Sequence, residues 1–304
     1  MEPALSAVGA LTLRLGKEHR SGVVTLYDLG VQLWQLYETR EYAGHRIKNL
    51  RNPVPARSSL FKYRDELIEN GVLEHRNDLP VDTWLLTLSP FKDPADILCG
   101  LDPFSYLSHL SAMEYHGLTD LVPRLIFATT YPAAEWRRHA LNRMSTDLGD
   151  SLADYQTARL PPLQRHAFDA VGKRKLSLFA SKAAGSFVTL RDRPVRVASL
   201  GRTFLDMLRR PDLCGGIHHV IDTFVEHARA YLPLIADELD RHGDPIEKVR
   251  AGYILEERCG IRDNPRIEAW TQFAQRGGSR KLDPAEAYWP EFSEKWMISL
   301  NVSR

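Results

Sequence analysis

The sequence predicts an α+β fold in which a small N-terminal domain precedes a larger mixed α/β domain with a helical C-terminal half. Its length of 304 residues exceeds what one hydrophobic core usually supports. Helix-like patterns followed by a hairpin-like pattern occupy the first 90 residues. Beyond them, strand-like segments come before helical ones, which favours α+β over a doubly wound sheet.

The first helix is predicted over residues 24–37, where Leu26, Leu29 and Leu33 recur at helical spacing. A polar connection follows, and a second, short helix is predicted over residues 46–50. Pro53 and Pro55 then prevent the helix from continuing.

Ser58 is the predicted N-cap of a third helix that runs to Asn70, with Gly71 as its left-handed stop. Two strand-like segments, 72–76 and 83–88, flank a turn and predict a hairpin. Helix, helix, helix, hairpin is the order of a winged helix-turn-helix. We therefore predict this domain over residues 1–90.

The second domain is predicted over residues 91–304, because Ser89-Pro90 and Asp93-Pro94 interrupt the chain at its start. Its predicted elements, in order, are a helix (104–116), four strands (125–130, 175–180, 186–190, 195–199), five helices (201–210, 215–229, 231–241, 245–258, 264–275) and a closing strand (296–300).

The composition excludes several classes of protein. A net charge of +1 rules out a globally basic protein that coats nucleic acid. Cys99, Cys214 and Cys259 form no CxxC pair, so we expect neither a structural zinc site nor a disulfide framework. No apolar run approaches the roughly 18 residues that span a bilayer, and the N-terminus is a poor signal peptide. We expect a cytoplasmic protein without membrane contact, cofactor or metal.

A local excess of positive charge points to DNA. Between Tyr42 and Arg64 there is no acidic residue, and acids resume directly afterwards at Asp65. The third helix is therefore basic at its start and acidic at its end, which is the reverse of what its dipole prefers. Helix stability does not explain this arrangement, whereas contact with phosphates does, since the start of a recognition helix meets the DNA.

A helical wheel separates the two faces of this helix. Leu60, Tyr63 and Leu67 share the apolar face, while Ser58, Ser59 and Lys62 point away from it. Arg64 falls in the apolar arc, so we expect its stem to be buried. A solvated basic face without a ligand is the alternative. The candidate DNA contacts are Arg57, Ser58, Ser59, Lys62, Tyr63, Arg46, Lys48, Arg51, His75 and Arg76.

The second domain offers weaker candidates. Arg202 and Asp206 are four residues apart and can pair on one helix face. His109 and His116 are seven apart, a spacing that favours core or capping roles over a metal site. The candidates in this domain are Ser108, His116, Arg202, Asp206, Lys173, Arg174 and Lys175. We find no GxxxxGK[ST], GxSxG or HExxH motif and predict no catalytic residue.

Several segments of the second domain, taken in order, resemble one family. Residues 104–118 read FSYLSHLSAMEYHGL, and residues 195–216 read VRVASLGRTFLDMLRRPDLCGG. A Gly278-to-Pro284 segment ending in Leu-Asp-Pro precedes Trp296 and Asn301. This series is similar to the AbiEi family of abortive-infection antitoxins. One residue departs from it, because Gly201 stands where the family usually has Glu before Arg-Thr.

The resemblance implies a type IV antitoxin, which counters a nucleotidyltransferase-like toxin without necessarily forming a stable complex with it. It also implies repression of the protein's own operon, by binding of the N-terminal domain to inverted repeats in double-stranded DNA. Two alternatives stay open. The chain is an enzyme that modifies the toxin or its substrate, for instance as a kinase, or a transcriptional regulator whose second domain senses a small ligand.

Overall fold

The computed structural model describes residues 5–183, 185–277 and 280–302 and has a mixed α+β fold. Three antiparallel strands of its N-terminal part form a sheet in the order β1-β5-β4. The elements of this part are α1 (Ala7–Glu18), β1 (Val23–Thr25), α2 (Leu26–Thr39), β2 (Glu41–Tyr42), β3 (His45–Arg46), α3 (Arg57–Glu69), β4 (Leu73–Glu74) and β5 (Thr83–Leu86).

The chain passes from β1 into α2 at a single residue, Thr25. The Thr25 hydroxyl accepts from the Asp28 N–H at 3.1 Å, and the Asp28 carboxylate accepts from the Thr25 N–H at 2.8 Å. This capping box starts the helix after Thr25, two residues later than predicted, because Val23 and Val24 pair with β5. Helix α1 was not predicted at all.

The short helix predicted over residues 46–50 is wrong, because Arg46 belongs to strand β3 of a hairpin with β2 and the residues after it are not helical. Ala43 and Gly44 both have positive φ, 52° and 80°, as a two-residue type I′ turn requires. Beyond the hairpin, Ile47 bridges Leu5, and the Leu5 carbonyl accepts from the Lys48 N–H at 2.9 Å. The backbone around Ile47 therefore forms hydrogen bonds with the extended chain at Leu5 and not the bonds of a helix.

Helix α3 lies close to its predicted position. It begins at Arg57 with Ala56 as N-cap, so Ser58 does not cap it, and Gly71 follows its end with a φ of 69°, as predicted. Leu60 and Leu67 are buried. The Arg64 guanidinium lies 4.8 Å from the Phe61 ring centroid, which agrees with its predicted apolar setting.

The second part of the chain is built on a six-stranded sheet in the order β10-β11-β6-β7-β9-β8. The pairs β11–β6 and β7–β9 are parallel, and the other pairs are antiparallel. Its elements are α4 (Pro94–Leu101), β6 (Tyr106–Leu107), α5 (His109–Tyr115), β7 (Ile126–Thr130), α6 (Ala133–Leu148), α7 (Leu152–Thr157), β8 (Ala170–Val171), β9 (Arg174–Ala180), β10 (Phe187–Thr189), β11 (Arg196–Ala198), α8 (Leu200–Arg209), α9 (Ile217–His242), α10 (Pro245–Tyr253), α11 (Pro265–Ala269), β12 (Phe292–Ser293) and β13 (Ile298–Ser299).

The strands β7, β9, β10 and β11 confirm the four predicted ones, but several helices differ. The predicted helix over 104–116 is instead β6 followed by α5, because Tyr106 and Leu107 pair with neighbours at the centre of the sheet. The helices predicted over 215–229 and 231–241 are one helix, α9, with Pro233 inside it. The predicted 245–258 helix ends as α10 and continues as a π-helical turn. None of the helices in the described ranges is long and apolar enough to cross a membrane.

The two parts of the chain share hydrophobic cores. Met144, Leu148 and Tyr155 of α6 and α7 pack into the core of the N-terminal part. A smaller cluster joins Val23 and Leu85 to residues of α4 and β8. The boundary after residue 90 therefore separates two architectures without separating two independent cores.

Gly201 is explained by close packing of α8 against α9. A Cβ at this position would overlap the Leu234 carbonyl oxygen and lie 3.1 Å from the Glu238 Cβ. The N-cap of α8 is Ser199, whose hydroxyl accepts from the Arg202 N–H. A glutamate at position 201 would not fit between α8 and α9. The helix is capped by Ser199, so the glycine at position 201 does not remove the cap.

We predict that Gly201→Ala lowers the free energy of unfolding by about 1–3 kcal/mol, because α8 and α9 must move apart. Gly16→Ala is the matched control, since Gly16 is exposed within α1 and its added Cβ would meet only Leu88 at 3.9 Å. That change is expected to stabilise by about 0.4–1 kcal/mol. Urea unfolding followed by circular dichroism measures both, and equal effects would contradict the packing account.

Candidate nucleic-acid interface

The start of α3 presents a polar, positively charged surface. Arg57, Ser58 and Lys62 are exposed on the side opposite the buried Leu60 and Leu67, and Ser59 is half-buried. The Lys62 ammonium lies 3.7 Å from the Glu66 carboxylate and is otherwise surrounded by solvent. Ala56 provides no side-chain cap, and the Ser59 N–H donates to the Ala56 carbonyl at 3.0 Å. The N–H groups of Arg57 and Ser58 are therefore those available to an anion.

More cations lie on the segment that leads into α3. Arg46, Lys48 and Arg51 are exposed there. The segment is held in place by Arg40, whose guanidinium donates to the Leu50 and Asn52 carbonyls at 3.0 and 2.9 Å. The Arg40 backbone is left-handed at φ 55° and ends α2, which turns the chain toward this loop.

Tyr63 is turned away from the exposed surface of α3. It is half-buried and hydrogen-bonded to Tyr37, and burial, reinforced by Tyr37, raises its pKa to about 12. Tyr63 therefore belongs to the packing of the helix, not to its exposed face.

The connection between β4 and β5 is tied to the second part of the chain. Arg76 donates to both oxygens of Asp78, and the Asp78 carboxylate accepts from the Gly172 N–H at 2.7 Å. His75 is exposed beside them. The turn after β8 thereby brings Lys173 close to this connection, with Lys175 also exposed on β9. Arg174 donates to the Pro123 carbonyl at 3.0 Å.

The remaining candidates of the second domain are engaged inside it. Ser108 is fully buried, and its hydroxyl accepts from the Thr129 hydroxyl at 2.8 Å and lies 2.8 Å from His109 Nδ1. His116 Nε2 donates to the Ala198 carbonyl at 2.8 Å. These contacts join α5 to the strands β7 and β11.

Arg202 and Asp206 form a buried ion pair at 2.8 Å, and Arg202 also donates to the Ala183 carbonyl at 2.7 Å. Burial alone would lower the pKa of Arg202, but the Asp206 carboxylate outweighs it and raises this pKa. The side chains of Arg202 and Asp206 are only 3% and 4% exposed, so neither is available to a ligand from solvent.

A polar cleft of about 410 Å³ lies between the two parts of the chain. His19, Arg20 and Gln32 line it from the N-terminal side, and Arg143 and Arg196 from the other. Arg196 is engaged within the protein, because its Nε and Nη2 atoms donate to three backbone carbonyls. Gln32 Oε1 is buried and has no hydrogen-bond donor within the described ranges.

The chain was compared with protein families, curated proteins and solved structures, and it resembles a solved structure only weakly. No family model matches the chain, and no curated protein matches it. Among solved structures, the chain is similar to the RV2827C protein from Mycobacterium tuberculosis, with a TM-score of 0.47 and 16% sequence identity over 96% of this chain and 90% of that one. A likeness at this level says nothing about function.

We predict that Arg202→Ala lowers the free energy of unfolding by about 3–5 kcal/mol, because it leaves the Asp206 carboxylate buried without a partner. The double variant Arg202→Met with Asp206→Leu removes both charges and should cost much less. Urea unfolding of both variants distinguishes the cases. If the two variants were equally destabilised, the ion pair would not be the cause.

We also predict that stability falls as the pH drops below about 6.5, the ordinary pKa of histidine, because burial lowers the pKa values of His109 and His116 in the folded state. Below that pH the two histidines bind more protons in the unfolded chain than in the folded one, which favours unfolding. His109→Asn should flatten this dependence, and asparagine tolerates the left-handed φ of 51° at this position. Unfolding free energies measured from pH 5 to 7.5 test this, and an unchanged slope in the variant would contradict it.

Proposed function

We propose that residues 1–90 form a winged helix-turn-helix that binds double-stranded DNA. The succession of α1, β1, α2, α3, β4 and β5 supports this, as does the β1-β5-β4 sheet in which β4 and β5 form the wing hairpin. The observation that carries the proposal is the uncapped start of α3, which exposes Arg57, Ser58 and Lys62 opposite its buried face.

Each part of this surface has a chemical role in the proposal. Arg57 and Lys62 pair with phosphates, and Ser58 and Ser59 reach toward base edges in the major groove. The exposed cations Arg46, Lys48 and Arg51 extend the phosphate contacts along the loop that precedes α3. Tyr63 serves only to pack the helix.

We further propose that the chain is a type IV antitoxin of the AbiEi kind, which represses its own operon from inverted repeats and neutralises a nucleotidyltransferase-like toxin in the cytoplasm. This proposal rests on the resemblance of the second domain, whose segments around His116, Arg202 and Asn301 occur in the family's order. A ligand-sensing regulator is the second candidate, favoured by the 410 Å³ cleft between the two parts. An operator affinity that changes with an added metabolite would support that alternative.

We predict that Arg57→Ala with Lys62→Ala weakens operator binding and lowers the log–log salt slope by about one unit for each lost phosphate contact. The control Arg191→Ala with Arg241→Ala removes the same charge from exposed positions of the second domain. A gel-shift series over salt concentrations measures both. If the two double variants gave the same slope, the α3 surface would not be the DNA contact.

We predict that the full chain carrying Arg57→Ala and Lys62→Ala still protects cells that express the toxin from an independent promoter. The full chain is required because α6 and α7 share a core with the N-terminal part, so a fragment starting at residue 91 would expose that core. Growth after toxin induction is the readout. Loss of protection with soluble protein present would contradict a separate antitoxic activity of the second domain.

A further inference from the structure

Large aromatic side chains are exposed on the loop before β12 and at the first residue of that strand. Trp289 is 57% exposed, Tyr288 51% and Phe292 42%, although Trp in particular is usually mostly buried. Neighbouring exposed aromatics of this kind mark interaction surfaces, where Trp and Tyr carry much of the binding energy. We name residues 284–292 the aromatic loop.

The backbone of the aromatic loop is held at both ends. Asn301 accepts from the Asp283 N–H at 3.0 Å and donates to the Asp283 and Glu286 carbonyls at 2.8 and 3.3 Å. The Ser299 hydroxyl accepts from the Trp289 N–H at 2.9 Å and donates to the Trp289 carbonyl at 2.6 Å. The aromatic side chains are therefore presented by a fixed backbone, which lowers the entropic cost of binding.

This support explains the Leu-Asp-Pro…Trp…Asn pattern of the sequence. Leu282 and Trp296 are buried in the C-terminal core, where the Trp296 ring fills the space that a Cβ at Gly252 would need. Asp283 and Asn301 clamp the loop as described above. Gly278 and Ser279, the first residues of the pattern, lie outside the described residues. The residues of the Leu-Asp-Pro…Trp…Asn pattern hold the backbone in place, and the residues between them form the exposed aromatic surface.

A pocket of about 560 Å³ lies beside these aromatics. Tyr288, Trp289 and Leu300 give it apolar walls, and Glu286 and Glu291 also line it. The nearby Lys281 ammonium is directed to backbone, since it donates to the Pro284 and Glu286 carbonyls at 3.1 and 2.6 Å. Within the described ranges the Glu286 carboxylate has no partner. Arg276 already lies 5.8 Å from the Phe292 ring centroid, so the aromatic faces that remain for a further cation are those of Tyr288 and Trp289 in the pocket. Aromatic faces beside carboxylates attract a cation and repel a phosphate.

We propose that this pocket binds a basic side chain, arginine above lysine, on an extended segment of a protein partner. A guanidinium can stack on the Trp289 indole and pair with the Glu286 carboxylate, while flanking apolar residues of the partner cover Tyr288 and Leu300. The residues that support this surface pack into the C-terminal hydrophobic core, whereas α3 packs into the N-terminal one. Binding at this surface therefore goes beyond the proposed DNA binding.

The test uses the full chain and fluorescein-labelled peptides of sequence Gly-Ser-Leu-X-Leu-Ser-Gly, in which X is arginine, lysine, citrulline or glutamate. Fluorescence anisotropy should show saturable binding of the arginine peptide. We expect affinity about tenfold lower for the citrulline peptide and for the Trp289→Ala variant. Glu286→Gln should weaken arginine binding severalfold and leave citrulline binding unchanged. Leu141→Ala, at another exposed apolar position, is the control and should change nothing.

Three results would overturn the proposal. They are no arginine-peptide binding at millimolar concentration, equal affinity for arginine and citrulline, and undiminished binding by Trp289→Ala. Sedimentation of the wild type and Trp289→Ala adds a fourth, because a dimer lost in the variant would make a second copy of the chain the occupant. Operator binding is measured on the same samples. Failure there with intact peptide binding would count against the DNA proposal alone.

Discussion

The second part of the chain is fixed to the first by Tyr155 of α7, which packs into the N-terminal core. Its ring meets those of Tyr27 and Trp34 edge-on at centroid distances of 6.5 and 5.7 Å, and its hydroxyl donates to the Pro161 carbonyl at 2.7 Å. Gly30 makes room for it, because a Cβ there would overlap the hydroxyl. Because protein interiors are close-packed, the helices that meet at Tyr155 cannot shift against each other without a loss of contacts. Helix α2, and with it α3, is therefore held at one angle to the second part of the chain.

The distribution of charge lets a nearly neutral chain carry two surfaces of opposite character. Several arginines of the second part are paired, as Arg202 is with Asp206 and Arg209 with Glu247. At the start of α3, Lys62 pairs with Glu66 at 3.7 Å and Arg57 lies 5.6 Å from the Phe61 ring centroid. Both cations remain exposed, so their field extends into solvent. At the C-terminal end, the Glu286 carboxylate lies beside exposed aromatics. A net charge of +1 thus conceals an exposed cationic surface at the start of α3 and, in our proposal, a cation-binding surface at the aromatic loop.

The segments that resemble the antitoxin family are mostly scaffold in this structure. Arg202 and Asp206 hold α8, Ser108 and His116 join α5 to the sheet, and Asn301 clamps the aromatic loop. Residue spacing indicated that Arg202 and Asp206 could pair. It could not indicate their burial, which depends on the segments packed around α8. The exposed aromatics were missed because their side chains follow no periodic pattern, and only the clamped backbone shows that they form a surface.

The sequence by itself determined those features that depend on neighbouring residues. The apolar face of α3, its stop at Gly71, its basic start and the strands β7 and β9 all follow from local periodicity and backbone preference. The tertiary structure decided what depends on distant partners. Residues 106–107 become a strand because β7 and β11 lie on either side, and residue 47 stays extended because Leu5 lies beside it. Helix α9 continues through Pro233 since Ile235, Ala236 and Leu239 are buried in the C-terminal core, and that burial offsets the lost N–H.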